Sequence, residues 1–445
     1  ATTADLWGND RMNDTYWHNG TMARRSGFCT DVYFEAAMAF IKDCKRTNEP
    51  FFTYVATNVP HWDWNVPADW LKPYLDTCGR SRAAFYASIS RVDWNLGRLI
   101  SFLEKEELAE NTILIFLTDN GSDVPEKNSA YTAGMRGFKG SRYEGGHRVP
   151  CFIRAPESLV GKPRAIDAFT AHIDLLPTLI DLCQLDTPDR EILPLDGRSL
   201  RPLFEGENAW GERMIVMHHH NGKKLQKHRK GVVMTRNWRL VIPEPGKEEL
   251  YTRRGDRSQR HDIAGDNPGV VRKLLADYET HWSSLDPDRA LERVLISKTA
   301  TVPLSSDITA GGNPITQQAV RQGKPITPLW LLEAKAPGRY RFEVRRWPRE
   351  ADASMTDEVP PANDPDIEYI GWESYRLDVS GVALDIEEVQ LKLSGMEMLS
   401  KEVAAGAKCV EFDVVLPAGP VDIEAWFVKG DGERMGAYFV YVEEL

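Results

Sequence analysis

Two residues that could bind a cation follow a continuous apolar run. Residues 112–117 (TILIFL) have the length and composition expected of a strand buried on both faces. Asp119, Asn120 and Gly121 come soon after it, so a carboxylate and an amide oxygen lie where ligands of open α/β sheets collect. Gly121 is expected to let the chain turn there. The same residues also fit an Asx-turn, but their position after an apolar strand favours a cation site.

A glycine-rich segment with one lysine, Lys139, comes next. Its glycines are Gly134, Gly137, Gly140, Gly145 and Gly146. They would let the backbone close on a ligand, and the Lys139 ammonium group is a suitable point charge for an oxyanion. No GxxxxGK[ST] pattern occurs, which argues against nucleotide binding. A cation site beside this segment predicts an anionic substrate.

Histidines and basic residues provide weaker candidates. His61 follows another predicted strand, residues 51–56 (FFTYVA), and fits a structural role as well as a functional one. The histidines at 218–220 are consecutive, and alternate residues of a strand point to opposite faces, so we expect a solvated strand end rather than a metal site. The basic residues between 223 and 230 are interpreted as a solvated loop, with guidance of a polyanionic substrate as the alternative.

Composition limits the classes of protein. The 445 residues are too many for one core and predict two or three domains. The net charge of −11 argues against nucleic acid as a partner. No window reaches the ~18 apolar residues of a transmembrane helix, and the chain starts at Ala1 without a signal peptide. The six cysteines form no CxxC pair, which favours buried free thiols over zinc sites or disulfides.

The order of strands and helices predicts three domains. The first thirty residues are predicted to be loop and turn, and helices are predicted over 31–47 (capped by Thr30), 82–105 and 172–183. Alternation with strands indicates a parallel α/β sheet in residues 1–206. Short strands and a helix from Pro268 predict a small α+β subdomain over 207–295. Alternating apolar residues, as in Tyr340, Phe342 and Val344, predict an antiparallel sandwich over 296–445.

Several motifs together carry a family resemblance. They are NVPH (58–61), LTDNG (117–121), GFKG (137–140), EGGHRVP (144–150), DGRSL (196–200), WRL (238–240), ELY (249–251) and DIA (262–264). In this order they resemble type I sulfatases of the alkaline-phosphatase superfamily. Residues 338–342 and 345–348 are similar to the C-terminal extension of some bacterial arylsulfatases. The ordered set is specific, although each motif alone is weak.

The resemblance implies a fold and a chemistry. The fold would be an alkaline-phosphatase-like, mostly parallel sheet flanked by helices, incomplete at its N-terminus. Asp119 and Asn120 would bind Ca²⁺, with Mg²⁺ as the alternative. Lys139 would contact the sulfate, and His61 would contact it or assist the leaving oxygen. The implied activity is hydrolysis of a sulfate monoester, on a sulfated small molecule or polysaccharide, in the periplasm or outside the cell.

Some residues that this family carries are not found in the sequence. They are an N-terminal acidic pair, a further Lys and His, and the Cys/Ser-x-Pro/Ala-x-Arg motif whose first residue becomes the nucleophile formylglycine. Residues 78–82 (CGRSR) have Arg80 where Pro or Ala is required and follow His61, so Cys78 is interpreted as part of a turn before a helix. We therefore expect the chain to begin partway through the catalytic domain, to bind metal weakly and to turn over little. The reading frame upstream of Ala1 would test this expectation.

Two other functions fit the same sequence. A phosphodiester or phosphonate hydrolase of the superfamily would use the same metal-site residues. A non-catalytic fragment could instead hold a sulfated glycan on Trp330 and Trp347, which we expect to be exposed.

Overall fold

The computed structural model describes residues 6–61, 64–123, 131–186, 195–206, 210–218, 226–285, 293–297, 302–305, 316–362, 364, 367 and 377–445. The chain divides into two compact units. The first comprises Ala1–Gly97, Asn221–Lys224 and Pro287–Leu445, and the second comprises Arg98–His220 and Leu225–Asp286. The predicted domain boundaries near residues 206 and 295 stay a prediction.

The α-helices of the described residues are α1 (Cys29–Thr47), α2 (Lys72–Leu75), α3 (Arg80–Lys105), α4 (Glu144–His147), α5 (Glu157–Val160), α6 (Leu175–Leu182), α7 (Arg201–Phe204), α8 (Pro268–Ser284) and α9 (Gln317–Arg321). The long helices agree with the predicted positions. Cys78 lies in the turn before α3, as expected. None of the helices in the described part of the chain is long and apolar enough to span a membrane.

The strands of the described residues are β1 (Thr15–His18), β2 (Thr21–Arg24), β3 (Leu114–Leu117), β4 (Cys151–Arg154), β5 (Ile215–His218), β6 (Gly231–Met234), β7 (Trp238–Ile242), β8 (Glu249–Thr252), β9 (Val294–Ile296), β10 (Val302–Ser305), β11 (Leu329–Ala334), β12 (Gly338–Arg345), β13 (Ile386–Leu393), β14 (Leu399–Glu402), β15 (Val410–Leu416), β16 (Gly419–Lys429), β17 (Arg434–Gly436) and β18 (Phe439–Glu444).

Helix α1 begins differently from the prediction. Phe28 occupies the N-cap position without a side-chain cap, and Thr30 is a buried residue within the helix rather than its cap. The helix ends at Thr47, and Asn48 follows as the C-cap with a left-handed backbone, its N–H donating to the carbonyl oxygens of Cys44 and Lys45. The first thirty residues also contain the antiparallel hairpin β1–β2, where loop was expected.

The predicted strand over residues 51–56 is wrong. The segment forms no ladder with any strand in the described residues. Phe52 is 76% exposed and Tyr54 is 81% exposed, so alternate side chains face solvent. An apolar, β-branched or aromatic run indicates a strand only where a neighbour can pair with its backbone.

A β-sandwich forms the C-terminal part of the first unit, as predicted. One sheet has the order β10-β18-β12-β15, and the other has β14-β13-β16-β11-β9 with β17 beside β16. All of these pairs are antiparallel except β9 with β11. Side chains of both sheets share one core, for example Phe342 of β12 and Leu391 of β13, each fully buried. Along β15, and along most of β16, every second residue lies in this core.

Trp330 and Trp347 lie within that core. Both side chains are 0% exposed, so the expectation of exposed aromatic residues on this module is wrong. Trp347 instead packs edge-to-face against Trp7, with ring centroids 5.4 Å apart. A glycan-binding surface built on these two tryptophans is therefore excluded.

The second unit begins its sheet structure with β3 and β4, which pair antiparallel as two strands. Their registered pairs include Phe116 with Phe152, and Phe152 is 67% exposed. Residues 114–117 are only half-buried, so burial on both faces is not observed. The parallel pairing predicted for residues 1–206 is likewise not formed by the described strands there.

The α+β subdomain agrees with the prediction. Strands β5-β6-β7-β8 form an antiparallel meander, and α8 packs against it through Leu274 and Tyr278. These side chains meet Val233, Leu240 and Leu250, all buried. The helical spacing of the apolar residues on α8 places them against one face of the meander, whereas β6 is buried on both of its faces.

All six cysteines are free, as predicted. Only Cys29 and Cys44 are buried. Cys151 and Cys183 are exposed, so the prediction that the thiols are buried is wrong for these two.

Candidate functional site

Two backbone hydrogen bonds bring the end of β3 beside the glycine-rich segment. The Gly121 N–H donates to the Gly146 carbonyl oxygen at 3.0 Å. The Lys139 N–H donates to the Ser122 carbonyl oxygen, also at 3.0 Å. Three of the four predicted site residues, Asp119, Asn120 and Lys139, therefore lie on chain segments that are bonded to each other.

Gly121 is required for a different reason from the one expected. It does not adopt the positive φ that would need glycine's turn freedom. A Cβ atom at this position would instead lie 1.9 Å from the Gly145 carbonyl oxygen. The absence of a side chain at Gly121 thus permits the close approach of the two segments.

Asp119 and Asn120 carry oxygen atoms of the kind that bind Ca²⁺. The Asn120 side-chain amide donates to one Asp119 carboxylate oxygen, and the Asn120 backbone N–H donates to the other at 2.9 Å. Calcium takes six to eight oxygen ligands. Among the residues the structure describes, no three His, Cys, Asp or Glu side chains are grouped to hold a metal ion. The described residues therefore do not by themselves form a Ca²⁺ site, although these two residues supply oxygen donors of the right kind.

His172 is a neighbour of this strand end that the sequence did not reveal. Its Nε2 atom lies 2.8 Å from the Thr118 carbonyl oxygen, one residue before Asp119. The side chain is exposed and begins the short 3₁₀ turn His172–Asp174 that precedes α6. A lone histidine at a predicted helix start carries no signal of this proximity.

Glu144 anchors the far end of the glycine-rich segment. Its buried carboxylate accepts Arg239 Nε at 2.6 Å and Arg148 Nη1 at 3.0 Å. Its backbone N–H donates to Gln259 Oε1 at 2.6 Å. Burial is the largest single influence and would raise the pKa of the Glu144 carboxyl group, but Arg239, His147 and Arg148 together hold that pKa below its usual range.

Arg136 attaches the near end of the segment to β8. Its guanidinium lies 3.7 Å from the centroid of the Tyr143 ring and donates to the Tyr251 hydroxyl at 2.9 Å. Both tyrosine hydroxyls donate to Glu249, at 2.9 and 2.7 Å. Burial and the Glu249 carboxylate raise the pKa of Tyr251, so it stays protonated as a donor. Segment 136–146 is thus held at both ends by the α+β subdomain.

His61, the fourth predicted residue, lies in the first unit. Its backbone N–H donates to the Asn58 carbonyl oxygen at 3.1 Å, and its own carbonyl oxygen accepts Arg11 Nη2 at 2.8 Å. These contacts fix the turn that carries the imidazole.

A buried polar cluster surrounds Arg11. Asp14 accepts the backbone N–H groups of Asp10 and Arg11, both at 2.9 Å, and all three residues are buried. Burial is the largest cause that raises the pKa of the Asp14 carboxyl group, from 3.8 to about 7. The sequence placed these residues in a loop because polar composition does not reveal burial.

Most of the other candidate histidine and basic side chains that the structure describes contact a neighbouring side chain. His218 on β5 packs against Tyr278 and Trp282, with ring centroids 5.5 and 5.4 Å away, so it is not a solvated strand end. His219 and His220 lie outside the described residues, as do Lys223 and Lys224. Lys227 and His228 bind Glu279 on α8, at 2.5 and 2.6 Å, rather than forming a free loop.

Comparison with known families gives two overlapping matches. A family model described as Sulfatase matches residues 1–185. A second, described as N-sulphoglucosamine sulphohydrolase, C-terminal, matches residues 137–279. The two matches overlap over residues 137–185, which include Lys139.

Individual proteins show the same similarity over part of their length. The N-acetylgalactosamine-6-O-sulfatase of Bacteroides thetaiotaomicron is 28% identical over 270 residues, which cover 55% of this chain and 49% of that protein. Mouse (Mus musculus) steryl-sulfatase is 33% identical over 150 residues, covering 32% of this chain and 24% of the mouse protein. The chain therefore spans less than half the length of these relatives.

The fold is similar to that of a solved structure, Ps i-CgsB in complex with k-i-k-neocarrahexaose. The TM-score is 0.55 at 23% identity, and the match covers 61% of this chain and 59% of that one. With the matching family models, this likeness confirms the predicted α/β fold class.

Proposed function

Since the chain belongs to the sulfatase family, we propose that it takes part in the hydrolysis of a sulfate monoester. The observation that best supports the proposal is the pair of backbone hydrogen bonds that joins the Asp119 strand end to the Lys139 segment. A sulfate ester carries a delocalised negative charge, and its hydrolysis is favoured where cationic groups face the equatorial oxygens.

Each candidate residue has a proposed role. The Asp119 carboxylate and the Asn120 amide oxygen would supply two of the ligands of Ca²⁺, or of Mg²⁺. The Lys139 ammonium group would contact a sulfate oxygen. His61 would contact the sulfate or protonate the leaving oxygen. We propose a sulfated small molecule or polysaccharide as the substrate, and the periplasm or extracellular space as the location.

Formylglycine is the nucleophile that membership of the family implies. No segment of the 445 residues matches Cys/Ser-x-Pro/Ala-x-Arg, and residues 78–82 form a turn and the start of α3 instead. No step of the reaction is therefore assigned to a nucleophile of this sequence. We propose that the 445 residues bind the cation and the ester weakly and turn over little.

Calorimetric titration tests the binding roles. We expect the 445-residue protein to bind both Ca²⁺ and a sulfate monoester weakly. Asp119→Ala should lower the affinity for Ca²⁺ about tenfold or more, and Lys139→Gln should lower the affinity for the sulfate monoester by a similar factor. Asp93→Ala removes an exposed carboxylate of α3 and serves as the control. If Asp119→Ala and Asp93→Ala bind Ca²⁺ equally well, the metal role is wrong.

Two ester substrates test the reaction class. We expect a chromogenic aryl sulfate to bind in preference to the matching aryl phosphate, since Lys139 provides a single charge suited to a monoanion. A preference for the phosphate ester, or for a phosphodiester, would favour a phosphodiester or phosphonate hydrolase instead. An ordinary enzymatic rate on the aryl sulfate would show that a nucleophile is present in these residues.

A further inference from the structure

A cleft with a volume of about 320 Å³ lies in the second unit, apart from the residues to which a role is given above. It is bordered by residues 164–169, by residues around 210–213 and by the turn between β6 and β7. The residues that matter here are Arg164, Arg213, Arg236, Arg254, Asp167 and Trp210. The cleft is thus lined by four arginines and one carboxylate, in a chain whose net charge is −11.

Two of the arginines build the walls. Arg213 is buried and donates to both carboxylate oxygens of Asp174 at 2.8 Å, with its guanidinium 5.2 Å from the centroid of the Trp210 ring. Arg164 donates to the carbonyl oxygens of Leu203, at 3.1 Å, and of Phe204. Carbonyl oxygens satisfy the hydrogen-bonding groups of Arg164 but do not neutralise its charge.

The carboxylate of Asp167 is already shared. Arg253 donates to both of its oxygens, at 2.7 and 3.1 Å, and Arg254 donates to one of them at 3.1 Å. The Arg254 side chain is still 65% exposed, so part of its guanidinium remains accessible. Among the described residues, Arg213 therefore binds the Asp174 carboxylate, Arg253 and Arg254 share the Asp167 carboxylate, and Arg164 donates to carbonyl oxygens.

The backbone of Arg236 is held in place by Arg253. Its side chain makes no hydrogen bond or ion pair with any residue that the structure describes. Its backbone is fixed, because Arg253 Nε donates to the Arg236 carbonyl oxygen at 2.9 Å. The Arg253 N–H also donates to the Asn237 carbonyl oxygen at 2.8 Å. A guanidinium on a braced turn, facing a positively charged cleft, is suited to a ligand with oxyanion groups.

We propose that this cleft binds a ring-bearing molecule that carries two or more sulfate or phosphate groups. The oxyanion groups bind Arg236 and the accessible part of Arg254, and the ring lies along the wall that Trp210 and Phe169 provide. The volume is at the lower end of the range of small-molecule sites and fits a substituted hexose. The unbalanced positive charge selects multiply charged ligands over neutral ones.

Calorimetry with three hexoses tests the proposal: a disulfated glucose, glucose 1,6-bisphosphate and glucose itself. We expect the two anionic sugars to bind and glucose not to bind measurably. The anionic sugar that binds more tightly shows whether the cleft prefers sulfate or phosphate groups, and either preference supports the proposed site. Arg236→Gln should weaken the binding about tenfold, since one charge-assisted contact is lost.

The matched control is Arg272→Gln, which removes an exposed arginine of α8 outside the cleft. It should change the affinity less than twofold, and both variants should keep the thermal unfolding midpoint of the parent. Equal weakening by the two variants would indicate general charge attraction and overturn the proposal, as would binding of glucose at the same affinity. Lys139→Gln should leave the binding intact, so the result does not depend on sulfate-ester hydrolysis.

Discussion

Gly121 donates its backbone N–H to the carbonyl oxygen of Gly146 at 3.0 Å, across a gap that no side chain could occupy. This contact joins the end of β3 to the segment that carries Lys139. It explains why glycines are concentrated here: the two backbones approach closely, and a side chain would separate them.

Gly121→Ala should therefore disrupt the candidate site. The new Cβ would meet the Gly145 carbonyl oxygen at 1.9 Å, so one of the two segments must move. We expect a loss of about 1–3 kcal/mol in the free energy of unfolding, measured by urea denaturation. Gly269→Ala on α8 is the control, because nothing lies within 4 Å of its Cβ position. Equal stabilities of the two variants would contradict the close-approach role.

Glu144→Gln should destabilise the second unit strongly. The substitution leaves the buried Arg239 guanidinium without its carboxylate, which costs about 3–5 kcal/mol. Glu205→Gln removes the exposed partner of Arg201 and should cost less than about 1 kcal/mol. Chemical denaturation of both variants at neutral pH compares these costs, and similar losses would show that the Glu144 pair is not important for stability.

The Glu144 carboxyl group also predicts that the free energy of unfolding falls at low pH. Its pKa in the folded protein is below the ordinary value of 4.5, so the unfolded chain binds more protons as pH falls below that value. The contribution of Glu144 is present above about pH 4.5 and is lost as pH falls through its folded-state pKa. The Glu144→Gln variant should show a shallower acid limb than the parent in unfolding measured from pH 6 downward.

Asp14 predicts the opposite dependence on pH. Its folded-state pKa of about 7 lies above its ordinary value of 3.8, so the folded protein binds more protons between these values. The free energy of unfolding contributed by Asp14 therefore falls as pH rises from about 4 to about 7. Asp14→Asn, which stays neutral, should flatten that slope, whereas Asp43→Asn at an exposed position of α1 should not. An unchanged slope in Asp14→Asn would show that the carboxyl group is ionised in the folded protein at these pH values.

Trp330→Ala should destabilise the first unit by about 3–5 kcal/mol, because it opens a cavity in the fully buried core of the sandwich. Phe52→Ala, at a side chain that is 76% exposed, should cost less than about 0.5 kcal/mol. Thermal and urea unfolding of the two variants measures the difference. A small loss for Trp330→Ala would mean that the tryptophan is accessible after all.

Periodicity and motif order determined much of this protein. The spacing of apolar residues on α8 and the alternation along β12, β13 and β18 were sufficient to predict the helix and the sandwich, because each element buries one face locally. The ordered motifs from NVPH to DIA were sufficient to indicate the sulfatase family, which the matching family models confirm.

Only the tertiary structure decided which segments meet. Residues 51–56 and 114–117 have similar strand-like sequences, yet among the described residues only 114–117 pair with another strand, β4, because pairing depends on a neighbour distant in the chain. Burial of Trp330 and the position of the Glu144 carboxylate between two arginines are likewise properties of long-range contacts, as is the Arg236 guanidinium's lack of a partner among the described residues. A residue type states what a side chain can do, and its neighbours in space determine whether that capacity is used.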